Sequence, residues 1–276
     1  MNILLTNDDG ADSPGLLALQ KELHKFGRVT TIAPLHQHSA VSHSISIFKP
    51  LFVHKTSYFG AKNHYSLILD GTPADCVKIA LCKFMNKFPD IVVSGVNDGA
   101  NVGGDIFYSG TVAAALEASL WGINSFAVSL EKSPRGKSNF PAAARKAVSV
   151  IKSLLSAKLP NGSMFNINLP RSRLTPLMAG RDGTGVLRVK GIKFTHQDLT
   201  ITRDEFIHST DPRGRSYYWM KSGPEATWQK KRKTENTLVL SVPSDIKTLR
   251  AGYISVTPLL ADFTDNQFLA NHPQIW

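Results

Sequence analysis

The chain has 276 residues, 42% of them hydrophobic, and its 32 lysines and arginines against 21 acids give a formal charge of +11. That content buries a full core in one large domain or two small ones, and no apolar run is long enough to span a bilayer. A basic field favours anionic ligands such as phosphates, nucleotides or nucleic acid without selecting an activity.

Asn2 to Asn7 reads as a buried strand. No basic leader precedes it, and Asn7, Asp8 and Asp9 interrupt the apolar stretch early, so a cytoplasmic protein is expected. Ser13-Pro14 offers an N-cap and a first-turn proline for a helix with an apolar face at Leu16, Leu17, Leu19, Leu23 and Phe26, stopped by Gly27. Arg28 to Ala33 is a second strand, and Tyr65 to Leu69 another. Thr72-Pro73 starts a helix expected to reach about Lys87, with Asp75 placed to complete a capping box. Cys76 and Cys82 on that helix fit no zinc or redox spacing and are expected to be reduced core thiols. Ile91 to Ser94 is a short continuous apolar run, the pattern of a strand covered on both faces. A helix from Ser109 to Trp121, a strand from Ile123 to Leu130, a helix from Phe140 to about Ala157 and a strand from Met164 to Leu169 follow. This alternation predicts an α/β fold: a Rossmann-like three-layer core with a mostly parallel sheet.

After Pro170 the pattern turns to short extended pieces, Val186 to Lys190, Thr200 to Thr202 and Tyr217 to Met220, with polar joints. The expected organisation is a catalytic core over 1–170, an antiparallel hairpin extension over 171–245 and a C-terminal strand and tail over 246–276. In the last part, a short helix is expected to reach about Ala251, and a strand from Tyr253 to Val256 is expected to end before Pro258.

In an open parallel sheet, ligands gather beyond the carboxyl ends of the strands. Asp8 and Asp9 follow the first strand, and Asn97 and Asp98 follow the Ile91–Ser94 strand, so both groups belong to that edge. Two close carboxylates repel each other, and a divalent cation removes the conflict. Carboxylate, amide and hydroxyl oxygens suit Mg, Mn or Ca. The segment SGVNDGANVGGDIFYSGT (94–111) adds glycines for close backbone approach, amides at Asn97 and Asn101, and Ser109-Gly110-Thr111 at a helix start, where free N–H groups favour an anion. Ser39 lies in a loop at the same edge, whereas His36, His38 and His43 in that loop have no cysteine partners and read as surface histidines. No P-loop motif and no G-x-G-x-x-G after a strand is present. Adjacent acids also lack the D-x-D spacing of a covalent aspartyl nucleophile, so activated water is favoured over a covalent intermediate.

These segments coincide with one family. MNILLTNDDG, APLHQHSAVSHSIS, LDGTPADCVKIAL, DIVVSGVNDGANVGGDIFYSGTVAAALEA, HSTDPRGRSYYW and GYISVTPL, in this order, closely resemble the SurE survival-protein nucleotidases. The resemblance implies a metal-dependent phosphatase acting on nucleoside 5′- and 3′-monophosphates, with short polyphosphate as a further substrate of some members. It implies Asp8, Asp9, Ser39 and Asn97 as ligands of one cation, Mg or Mn, and Asn101, Ser109, Gly110 and Thr111 as the phosphate site. Asp8 and Asp9 are then also the residues expected to position the attacking water. An extended hairpin arm and a C-terminal exchange, building homodimers or homotetramers, are implied as well. DPRGR (211–215) is read as bracing such an interface.

Two other classes compete. A phospho-receiver domain also carries paired acids after its first strand, but nothing at DGTPAD supplies its phosphorylated aspartate. A nucleic-acid-binding protein is suggested by the charge and by Lys230-Lys231-Arg232-Lys233, without a recognition motif to support it.

Overall fold

Strand β1 (Asn2–Thr6) is central because its side chains are apolar on both faces: Ile3, Leu4 and Leu5 are all 0% exposed. Ile3 and Leu5 enter one buried cluster and Leu4 the other, as the two-residue period of a strand requires. Each such burial contributes about 2 kcal/mol. The structure, a computed structural model, describes residues 1–55, 66–133, 138–171, 187–199, 201–202, 205–221, 227–228 and 242–271.

Helix α1 (Pro14–Leu23) starts where the hydroxyl of Ser13 accepts the N–H of Leu16. β2 (Arg28–Pro34), β3 (Val53–Lys55) and β4 (Ser66–Leu69) follow, then α2 (Pro73–Ile79), capped by Thr72 in a box closed by Asp75. β5 (Ile91–Asp98), α3 (Gly110–Leu120), β6 (Asn124–Leu130), α4 (Phe140–Leu155) and β7 (Met164–Leu169) complete the alternating half. Beyond it lie β8 (Ile192–Phe194), β9 (Ile201–Thr202), β10 (Glu205–Thr210), β11 (Ser216–Lys221), β12 (Thr227–Trp228), α5 (Asp245–Arg250), β13 (Ile254–Leu259) and α6 (Asn266–Asn271).

The main sheet has the order β3-β4-β2-β1-β5-β6-β7-β13-β8. β4, β2, β1, β5, β6 and β7 run parallel, whereas β3 and β13 are antiparallel to their neighbours β4 and β7. α1 and α4 cover one face through Leu16, Leu19, Leu23, Ala147 and Ile151, and α2 and α3 cover the other through Cys76, Val77, Ala114 and Ala118. The expected three-layer α/β fold is therefore present. The chain adds β2 and β4 on one side of β1 and then β5, β6 and β7 on the other. The order thus reverses between β1 and β5, where a crevice opens at the carboxyl ends.

The hairpin β10–β11 pairs Glu205 with Lys221 through to Thr210 with Ser216 and belongs to a separate two-stranded sheet. Its turn is DPRGR: the Asp211 carboxylate accepts the N–H groups of Arg213 and Arg215, both at 2.9 Å, and pairs with the Arg215 guanidinium at 2.7 Å.

Several local expectations need correction. The α2 helix stops at Ile79 and widens into a π-helical turn over Ala80–Phe84 instead of reaching Lys87. Cys76 is buried, but Cys82 is exposed on that turn and is not a core thiol. β5 runs on to Asp98, and β13 continues through Pro258 to Leu259 because it pairs with β7 there. Residues 187–190 form no strand; the extended piece begins at Ile192 and joins the main sheet beside β13. The Lys230–Lys233 run lies outside the described residues.

Candidate active site

The two acids are set into the crevice by the way β1 ends. Asn7 is fully buried, and its amide nitrogen donates to the Gly10 carbonyl at 2.9 Å and to the Ser13 hydroxyl at 2.8 Å, locking the turn. Asp8, only 7% exposed, then meets the first turn of α3. The Thr111 hydroxyl donates to Asp8 Oδ1 at 2.5 Å. Gly110 is required by this approach: a Cβ there would stand 2.9 Å from Asp8 Cβ and 3.2 Å from Asp8 Oδ2. Ser109 caps the same helix by accepting the Val112 N–H at 3.1 Å.

β5 brings the second group. Its pairing with β6 shifts between Ser94 and Asn97, where one extra residue enters β5 before Asn97 pairs with Ser129 and Asp98 with Leu130. Such a bulge re-aims the side chains beyond it. The Asp98 N–H donates to Asp9 Oδ2 at 3.1 Å, and Gln37 donates to Asp9 Oδ1 at 3.3 Å. The Asn97 amide nitrogen is committed to the Gly99 carbonyl at 2.8 Å, which reserves its amide oxygen for another partner. The end of β5 at Asn97 and Asp98 thus meets the end of β1 at Asp9.

The loop after β2 closes over them. The His38 N–H donates to the Asp8 carbonyl at 2.8 Å, so exposed Ser39 follows directly on a residue tied to the backbone of Asp8. Four further contacts fasten this loop: Ser42 to the carbonyls of Phe107 and Tyr108, the Thr72 hydroxyl to the Ser44 carbonyl, and the Ser46 N–H to Asp75. His43 is only partly exposed and, unlike a free surface histidine, has an acidic partner. Its Nε2 lies 2.9 Å from Glu117, a buried acid on α3 that also receives Lys78 at 3.2 Å and the Trp121 indole at 3.0 Å. Burial alone would raise the Glu117 carboxyl, but these three donors outweigh it and hold it at about 2.

The electrostatics of the acid pair run the other way. Burial pushes Asp8 up to about 6, the Thr111 bond pulls against it, and the charge of Asp9 adds to the rise. Burial raises Asp9 too, against the Asp98 N–H. Among the described residues no lysine, arginine or histidine forms an ion pair with either acid. No group of three or more His, Cys, Asp or Glu side chains converges among those residues either. The donor set is therefore two under-compensated carboxylates with amide and hydroxyl oxygens nearby. It fits a hard divalent cation such as Mg or Mn and does not fit a sulfur-preferring one.

Asn101 belongs to a buried polar network. Its N–H donates to Asn168 Oδ1 and its amide nitrogen to the Ser129 hydroxyl, each at 2.8 Å, while its carbonyl accepts Asn166 and Asn168. Asn166 and Asn168 were missed by sequence reasoning, although two asparagines two apart in the apolar run MFNINL signal a polar stripe on one strand face. Gln37 carried no such signal.

The model of the family described as survival protein SurE matches residues 3–202. The 5′-nucleotidase SurE of Herpetosiphon aurantiacus is 40% identical over 266 residues, spanning 96% of this chain and 94% of its own. That of Geobacter sulfurreducens is 40% identical over 265 residues, spanning 96% and 90%. The crystal structure of the SurE protein from Aquifex aeolicus shares the fold with a TM-score of 0.75 at 33% identity, over 99% of this chain and 98% of that one. With the motifs, the fold and these likenesses over nearly its whole length, the chain belongs to the SurE survival-protein family.

Proposed function

We propose that this protein is a 5′-nucleotidase that hydrolyses nucleoside monophosphates to nucleoside and phosphate, using one divalent cation, Mg or Mn, held by Asp8, Asp9, Asn97 and Ser39. Hydrolysis of 3′-monophosphates and of short polyphosphate belongs to the same proposal. The observation that carries it is the pair of raised carboxylates, buried Asp8 pressed against the first turn of α3 at Gly110 and half-buried Asp9 beside it, neither in an ion pair with a cationic side chain among the described residues. A cation held there would supply charge neutralisation at a phosphoryl oxygen and would acidify a water.

The protein's own groups do the rest. Thr111 fixes the Asp8 carboxylate, and Gln37 with the Asp98 N–H fixes Asp9. Asp9, the more exposed acid, takes a proton from the attacking water. The first turn of α3, at Ser109 and Gly110, offers its dipole to the equatorial phosphoryl oxygens as charge builds on them. The buried network with Ser129 and Asn168 holds Asn101 in the loop that leads to this turn. The new bond forms from water oxygen to phosphorus, the bond to the sugar oxygen breaks, that oxygen leaves with a proton drawn from solvent, and Asp9 returns the proton it took to solvent.

We further propose that the protein self-associates through the β10–β11 hairpin, as a dimer or tetramer, with 1–170 as the catalytic core, 171–245 as the extension and 246–276 as the returning segment. Support comes from both faces of the hairpin: Phe206, Tyr218 and Met220 on one and Ile207 and Trp219 on the other are 49–68% exposed, more large apolar surface than a finished two-stranded element presents. No helix among the described residues is long and apolar enough to cross a membrane. Unpaired Cys76 and Cys82 accord with a reducing cytoplasm.

The test is phosphate release from 5′-AMP, 5′-GMP, 3′-AMP and tripolyphosphate with Mg, Mn or a chelator. Release from the nucleotides with metal and none with chelator is expected. Undiminished release in chelator removes the cation from the proposal, and no release from any nucleotide with any metal removes the activity.

A further inference from the structure

From Gly103 the chain makes a 3-10 turn (Gly103–Phe107) and then enters α3 at Ser109. Both backbone groups of Gly103 are held by residues far away in sequence. Its N–H donates to Asp245 Oδ2 at 2.9 Å, and its carbonyl accepts the Gln197 side-chain amide at 2.8 Å. Asp245 is fully buried, and its other oxygen accepts the N–H groups of Asp198 at 3.0 Å and Ile246 at 2.7 Å. The Asp245 N–H returns to the His196 carbonyl at 2.9 Å, and His196 bridges Ser244. Gly103 sits at φ +60, and a Cβ there would lie 2.8 Å from Ile246 Cδ1 and 3.3 Å from the Asp198 carbonyl. The glycine backbone is thus pressed into a cleft formed by residues 197–198 and the start of α5.

A carboxylate so deeply buried is costly to keep unless its bonds accomplish something. One of its three bonds is local, to Ile246; one crosses 47 positions to Asp198, and one crosses 142 to the loop that carries the phosphate turn. We infer that Asp245, assisted by Gln197, is a positioning residue for catalysis: by fixing Gly103 it sets the entry of α3, and so the placement of Ser109, Gly110 and Thr111 against Asp8. The inference rests on the proposed nucleotidase activity. It acts on phosphate binding and leaves the cation ligands Asp9 and Asn97, held by the Asp98 N–H, Gln37 and the Gly99 carbonyl, in place.

Asp245→Asn isolates the crossing bond. The amide oxygen still accepts from Asp198 and Ile246, but an NH2 group now faces the Gly103 N–H, donor against donor. In full-length protein assayed on 5′-AMP with saturating Mn, this variant is expected to raise KM and lower kcat/KM by about tenfold or more, equivalent to about 1.4 kcal/mol. Competitive inhibition by inorganic phosphate is expected to weaken in parallel, while Mn binding, followed by calorimetry, stays within about twofold of the parent. Gln197→Ala, which frees only the Gly103 carbonyl, is expected to move KM and phosphate inhibition the same way by about threefold. If Asp245→Asn does not fold, Gln197→Ala decides alone. Unchanged KM and phosphate inhibition in a folded variant overturn the inference, as does an equal loss of Mn binding. A parent enzyme that releases no phosphate from 5′-AMP overturns the activity instead, a separate and distinguishable result.

Discussion

Along β1, Ile3, Leu4 and Leu5 alternate between two clusters and none touches solvent. Along β10 and β11, neighbours in sequence such as Phe206 and Ile207, or Tyr218 and Trp219, also alternate between faces, yet they are 49–68% exposed. The first strand is complete within its own chain. The second is not, because two strands alone are marginal in water and these carry aromatics that neither face buries. The comparison teaches where each kind of residue is used. The covered strands hold polar groups rigidly at their carboxyl ends, while the uncovered pair offers apolar surface outward.

The largest expected effect comes from removing the charge that the covered region holds at a cost. Asp8→Asn and Asp9→Asn should each lower kcat on the order of 10²-fold or more at saturating Mn. Without metal, their melting temperatures should match or exceed the parent's, since burial penalises the native carboxylates. Metal-free melts beside steady-state rates check both halves; a large drop in melting temperature would make the acids structural.

Gly110→Ala should follow, lowering kcat/KM by about tenfold or more, because the new methyl pushes Asp8 from the start of α3. Initial rates on 5′-AMP measure it, and parent-like rates would mean the contact relaxes freely.

The comparison breaks from the other side with Tyr218→Ser and Trp219→Ser together. Light scattering should show a smaller assembly, with a core melting temperature within about 5 °C of the parent because surface changes cost little in the monomer. An unchanged mass would leave the hairpin without its proposed use.

The smallest effect concerns Glu117. Its carboxyl sits at about 2 in the folded protein against an ordinary 4.5, so the stability it contributes is present above pH 4.5 and lost as pH falls toward 2. With Lys78 and His43 partly exposed, about 2 kcal/mol is a fair magnitude after screening. Glu117→Gln should flatten the acid limb of a denaturation series over that window and leave the neutral limb parallel to the parent's.

Much of this was legible in the residues. Continuous apolar runs at Ile91–Val93 and alternating helices predict a sheet covered on both faces, and Ser13-Pro14 and Thr72-Pro73 mark the helix starts that form. The acids of NDDG and the asparagine of SGVND could be assigned to one edge from strand direction alone. Other features depend on tertiary contact. The Asp245–Gly103 bond joins residues 142 apart, and no local pattern announces it. His43 looks like any loop histidine until α3 brings Glu117 beside it. Pro258 reads as a strand end, yet it lies opposite Phe165 within the β7–β13 ladder. The length of β5 beyond Ser94 was hidden for a similar reason, since a bulge with glycine in it does not look like a strand in sequence.

The Thr111 hydroxyl occupies one oxygen of Asp8, Oδ1. The hydroxyl thereby fastens the end of β1 to the first turn of α3, and a single short bond sets the spacing between the paired acids and the helix start.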